Sequence, residues 1–160
     1  MVRRPYTARR EDGQATVEFA IVIPLLLLLV VGIFEFGKAF NYWIDLNHLS
    51  NEGARWAAVD KVPPYDGKPG NANPGCSDIE DYLLSQMNTG DLKSKVTAAN
   101  ITINVDSPSG QPQVGDPVTV SIKAPGYKIA SLGEAINLGT VTLGSKSTMR
   151  LEQVPNWSQC

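Results

Sequence analysis

Gly13-Gln-Ala-Thr-Val-Glu-Phe-Ala-Ile-Val-Ile-Pro-Leu-Leu-Leu-Leu-Leu-Val-Val-Gly-Ile-Phe34 decides how the rest of the chain is arranged. From Ala20 to Phe34 no side chain is charged or strongly polar. With Ala15, Val17 and Phe19 the stretch holds about 20 mostly apolar residues, the length one helix needs to cross a bilayer. A core helix in a soluble domain of this size would keep a polar face, and this stretch has none. The reading is a membrane span over residues 15–36.

The flanks orient it. Arg3, Arg4, Arg9 and Arg10 precede the span against only Glu11 and Asp12, and a basic flank stays in the cytoplasm. The remainder of the chain is therefore expected outside, anchored by a single pass through the cytoplasmic (inner) membrane. Two features do not suit a plain anchor. Glu18 lies inside the apolar run, where an unpartnered carboxylate costs up to roughly 3 kcal/mol at the helix centre. Gly13 separates the charged leader from the apolar run. A small residue, four more residues, Glu-Phe and then an apolar helix is the arrangement that prepilin peptidases read, cutting after the glycine.

These residues resemble the TadE-like pseudopilins of tight-adherence (Tad, Flp-type) pilus systems, which are related to type IV pili. The likeness runs through Gly13-Gln-Ala-Thr-Val-Glu-Phe-Ala20, Pro24-Leu-Leu-Leu-Leu28 and Gly53-Ala-Arg-Trp-Ala-Ala58, and returns at Ser147-Thr-Met-Arg-Leu-Glu152. It implies a minor pilin or assembly factor, made as a prepilin and cut between Gly13 and Gln14. It also implies partners: the peptidase, other pilin or pseudopilin subunits, and the inner-membrane assembly platform. Glu18 and Phe19 would form the processing and assembly motif, with Glu18 neutralising the freed ammonium of Gln14 on a neighbouring copy. Such a pair makes a buried charge tolerable and fixes subunit register. At the membrane boundary, the same carboxylate would simply reach water. Whether the protein enters the fibre, caps it or stays in the membrane is left open.

Composition narrows the field. The net charge is −2, and −4 once residues 1–13 are removed, with no basic cluster beyond the leader; nucleic acid is not an expected partner. Cys76 and Cys160 both fall on the oxidising side, so a disulfide that would close the segment between them is expected, the alternative being two free thiols. Neither has metal-ligand spacing. Asp45, His48 and Glu52 share a helix face, but no second element adds a ligand, and neither a metal nor a cofactor is expected. No nucleophile elbow, phosphate loop or H-E-x-x-H motif occurs, so no enzyme is expected. A signal peptide cut near Gly37-Lys-Ala39 is the competing account of the N-terminus, but the helical pattern runs straight through that site.

That pattern continues past the membrane. Ala39, Tyr42, Leu46, Leu49, Gly53 and Trp56 recur at spacings of 3 and 4, one helix face. One helix from 14 to 59 is expected, with Pro24 bending or loosening its membrane half. Gly53, Ala54, Trp56 and Ala57 are the helix-packing candidates, with the protein's own sheet as the preferred partner. Residues 61–75, rich in proline and glycine, read as a loop. Ser77-Asp-Ile-Glu80 reads as a capping box opening a short helix that Gly90 closes.

Ile101, Ile103 and Val105, then Val118, Val120 and Ile122, alternate with polar residues and read as two strands. Residues 125–139 read as irregular, with a helical turn at 129–136, before a last strand over 140–152. The expected fold is α+β. A basic leader (1–13) precedes a long pilin-like helix (14–59), whose outer half packs on a small antiparallel sheet of an extracytoplasmic domain (60–160) with a short helix. The alternative function is an uncleaved single-pass protein whose outer domain binds an extracellular ligand or a cell-wall component.

Overall fold

The computed structural model describes residues 12–87, 90–128 and 139–157, with Asp12 and Asp91 described by backbone alone. The expected leader up to residue 11, the helical turn at 129–136 and Cys160 lie outside these residues. Helix α1 runs from Asp12 to Val59, 48 residues, or about 72 Å at 1.5 Å per residue. It is unbroken at Pro24. Helices α2 (Cys76–Gln86) and α3 (Gly90–Lys95) and a 3-10 turn (Ala98–Asn100) lead into strands β1 (Ile101–Val105), β2 (Pro117–Lys128) and β3 (Thr140–Arg150). The strands form one antiparallel sheet in the order β1-β2-β3.

Period-2 alternation explains the sheet. Ile101, Ile103 and Val105 face inward opposite Ile122, Val120 and Val118, and the polar residues between them face out. The outer half of α1 covers the inward face with Leu46, Leu49, Ala54 and Ala57, while α2 adds Ile79 and Leu83. Among the described residues no element covers the first half of α1, and no part of its most apolar window is buried. The α+β plan expected from the sequence is the one observed.

Local expectations changed in four places. Helix α2 starts at Cys76, and its cap is Gly75, whose N–H donates to Asp78 Oδ2 at 2.9 Å. The acid three residues after the cap is therefore Asp78 and not Glu80. Helix α2 stops at Gln86 with Met87 already extended, so it needs no left-handed glycine; Gly90 instead opens α3. Strand β2 continues through 125–128, expected to be irregular, because Pro125 and Gly126 occupy a bulge after which Tyr127 rejoins β3 opposite Val141. Gly126 takes φ +71°, which a bulge of this kind requires. The 61–75 loop is a small hairpin, in which Val62 and Asn71 exchange both backbone hydrogen bonds at 2.9 Å across a turn at Asp66-Gly67.

Candidate functional site

The functional segment expected from the sequence is the first part of α1, and the structure presents it bare. Gly13, Gln14, Glu18, Phe19 and Pro24 are all exposed. A Cβ built on Gly13 would meet nothing within 4 Å, so the fold itself makes no demand for glycine there. Gln14 Nε2 donates to Glu18 Oε1 at 3.2 Å, one helical turn away. The residue that would carry the new amine and the carboxylate that would meet it are thus already neighbours along one helix face. The apolar side chains that follow, Ile21, Leu25 and Leu28 among them, project outward with no covering element.

The model of the family described as TadE-like protein matches residues 13–55. Over these residues the chain is similar to that family. The match takes in the bare half of α1 and the start of its buried half, about a quarter of the chain. No curated protein and no solved structure matches. The matched segment holds a helix long and apolar enough to cross a membrane once, as a single-pass anchor needs.

The remaining candidate residues separate into two groups. Gly53, Ala54 and Ala57 are buried in the domain's own core. A Cβ on Gly53 would come within 2.9 Å of Leu83 Cδ1 and 3.2 Å of Val120 Cγ1, so this glycine lets α1 seat against α2 and β2. Trp56 is half-buried, edge-on to Tyr82 with its centroid 6.4 Å away, and the Arg55 guanidinium lies over its ring at 5.3 Å. Cys76 is half-buried at the first turn of α2 and is not a free thiol.

Glu52, read with Asp45 and His48 as a possible ligand, is otherwise engaged. It accepts the Tyr82 hydroxyl in a short hydrogen bond and the Trp56 indole N–H at 3.5 Å. Burial, then the adjacent Glu52 carboxylate, pushes the Tyr82 phenol up to about 12. Among the described residues no group of three histidines, cysteines or acids could hold a metal.

Sequence reasoning missed the residues at the boundary between the two halves. Glu35, three residues before Lys38 at the outer end of the apolar run and so readable as half of a solvated local pair, is buried. The pair exists, at 3.4 Å, but the carboxylate is largely buried, and the Tyr127 hydroxyl donates to the Glu35 backbone oxygen at 3.5 Å. The 3-and-4 stripe extended back one turn from Ala39 reaches Glu35, and that was the available signal. The second omission is a ladder of exposed rings. Phe36 stacks on Phe40 at 6.3 Å, and Phe40 meets Trp43 at 5.8 Å.

Proposed function

We propose that this protein is a pseudopilin-type subunit that acts in assembly of a Tad (Flp-type) pilus. It is made as a prepilin and cut between Gly13 and Gln14 by a prepilin peptidase on the cytoplasmic side. One observation carries the reading. An uncovered apolar helix, TadE-like in sequence, holds a single carboxylate one turn after an open glycine junction. The basic leader keeps the N-terminus inside and sends the sheet domain across the inner membrane.

The role is structural, exercised through helix packing with other subunits and with the assembly platform. Before processing, the Gln14 side chain occupies Glu18. After processing, the Gln14 ammonium of another copy takes that place as the helices bundle, pairing two charges that would be costly to bury apart. Outside the membrane Cys76 pairs with Cys160. This closes an 85-residue segment that in a chain-entropy account stabilises the domain by roughly 4–5 kcal/mol.

The test is the intact mass of the protein from its native membrane, with and without peptidase activity. Loss of residues 1–13 only in the active strain is the expected result. Gly13→Leu should abolish that loss without disturbing the fold, since the site is sterically open. A native chain that still begins at Met1 beside an active peptidase would instead favour the uncleaved single-pass protein with an outer ligand-binding domain.

A further inference from the structure

The two carboxylates Glu18 and Glu35 bracket the apolar run Phe19–Phe34, which is about 24 Å long as a helix. A bilayer core is about 30 Å thick and its shortest spans use about 17 residues, so the run must be supplemented at one end or the other. The outer end is equipped for it. Phe36 is 73% exposed, Phe40 49% and Trp43 45%, and the three rings form one contiguous strip.

With Phe36 at the hydrocarbon edge, Phe40 and Trp43 follow roughly 6 and 10 Å further along the axis, and helical side chains lean back toward the N-terminus. That is the headgroup layer, where tryptophan and other amphipathic rings collect. The strip also ends where such a layer ends. One turn on, Asn47 and Asn51 accept hydrogen bonds from Ser145 and Ser147 of β3, and exposed apolar character on that side stops. A helix-packing stripe would continue along the rod.

The domain meets α1 at the same height. Tyr127, near the end of β2, lies edge-on to Tyr42 at 5.5 Å and reaches the Glu35 backbone, while Val141 opposite it on β3 is exposed. We propose that Phe36, Phe40 and Trp43 lie in the phospholipid headgroup layer of the outer leaflet. With Val141, they seat the near end of the sheet on the membrane surface. This leaves Glu18 at the inner boundary, in reach of water, so its burial is deferred until a partner amine is present. The Gly13–Gln14 bond then stays clear of the hydrocarbon.

The inference rests on α1 spanning the membrane, and the experiment separates the two. The full chain is placed in phospholipid nanodiscs carrying a spin label either at the headgroup or at the acyl-chain end, and tryptophan fluorescence is read with and without Trp43→Phe. The Trp43 contribution should be quenched by the headgroup label roughly twofold more than by the chain-end label. Leu27→Trp, added to the Trp43→Phe chain, should show the reverse preference. If Leu27→Trp is quenched by the deep label while Trp43 responds to neither, the seat is wrong and the span stands. If Leu27→Trp is also unquenched, the span fails and the seat with it. Trp43 shielding that grows with the protein-to-lipid ratio would assign the strip to a second copy and overturn the proposal.

Discussion

Asp60 stands where α1 stops, and its backbone shows how. It takes φ 50°, the left-handed conformation that commonly ends a helix, with Lys61 N–H returning to Trp56 O at 3.2 Å and Asp60 N–H to Ala57 O. Aspartate tolerates that conformation better than most residues, but here its carboxylate is buried and Oδ1 has no hydrogen-bond partner among the described residues. Burial raises its carboxyl above the usual range, opposed by the indole of Trp157. A raised acid holds its proton more tightly in the folded than in the unfolded chain. Its contribution is therefore complete below the unfolded carboxyl value of about 3.9 and is lost as pH rises through the folded one. Asn keeps the left-handed preference and cannot ionise. Asp60→Asn should therefore match the parent at pH 3 and exceed it at pH 7 by on the order of 1 kcal/mol, read from denaturant midpoints at both. Gly53 gives the opposite prediction at the same scale. Leu83 and Val120 leave no room there, so Gly53→Val should cost about 1–3 kcal/mol in the domain's unfolding, whereas Gly13→Leu should leave that unfolding unchanged.

Between elements, the contact that sequence patterning conveyed least is α1 on β3. Alternation in the sequence places Val141, Leu143, Met149 and Leu151 on one face of the last strand, and the register on β2 keeps that parity. The middle of the face, however, is Ser145 and Ser147. Ser145 Oγ donates to Asn47 Oδ1 at 2.7 Å and shares a hydrogen bond with Ser50 Oγ, also at 2.7 Å, in a buried polar seam. Hydrophobic period finds faces that exclude water. It does not register two polar rows that satisfy each other, which is also why Glu35 passed for a surface residue. The membrane run, the outer helix stripe and strands β1 and β2 were legible because each repeats one simple period. The α2 cap, the β2 bulge and the 61–75 hairpin were not, because each depends on one or two residues whose alternatives are locally equivalent. A seam of this kind is measurable as coupling. Ser50→Ala and Ser145→Ala should each cost about 1 kcal/mol, and the double variant should cost less than their sum by about the same amount, since either change already breaks the shared bond.

For the molecule as a whole, the two halves of α1 answer to different solvents. The core begins at Leu46 and closes through Leu151, while the apolar run before Glu35 packs on no described element. After β3 the chain returns to the helix end, where Glu152 and Gln153 N–H groups both bond Ala58 O, at 2.8 and 3.2 Å. The domain is thus closed on the outer half of the helix without help from the inner half, and the stability of one should not depend on the other. Glu35 fixes where the cut belongs. It carries the contact to Tyr127 and the pair with Lys38, whereas the described residues before it are exposed except for half-buried Val31. A chain starting at Glu35 should therefore be soluble without detergent and unfold in one cooperative step. Its midpoint should lie within about 5 °C of the full chain in nanodiscs, a shift equivalent to roughly 1 kcal/mol for a domain of this size. Starting instead at Leu49 removes Leu46 from the core and Tyr42 from Tyr127, and should lower that midpoint by at least twice as much. A large loss already at the Glu35 start, measured by thermal melts of both chains, would mean that the membrane half supports the outer domain after all.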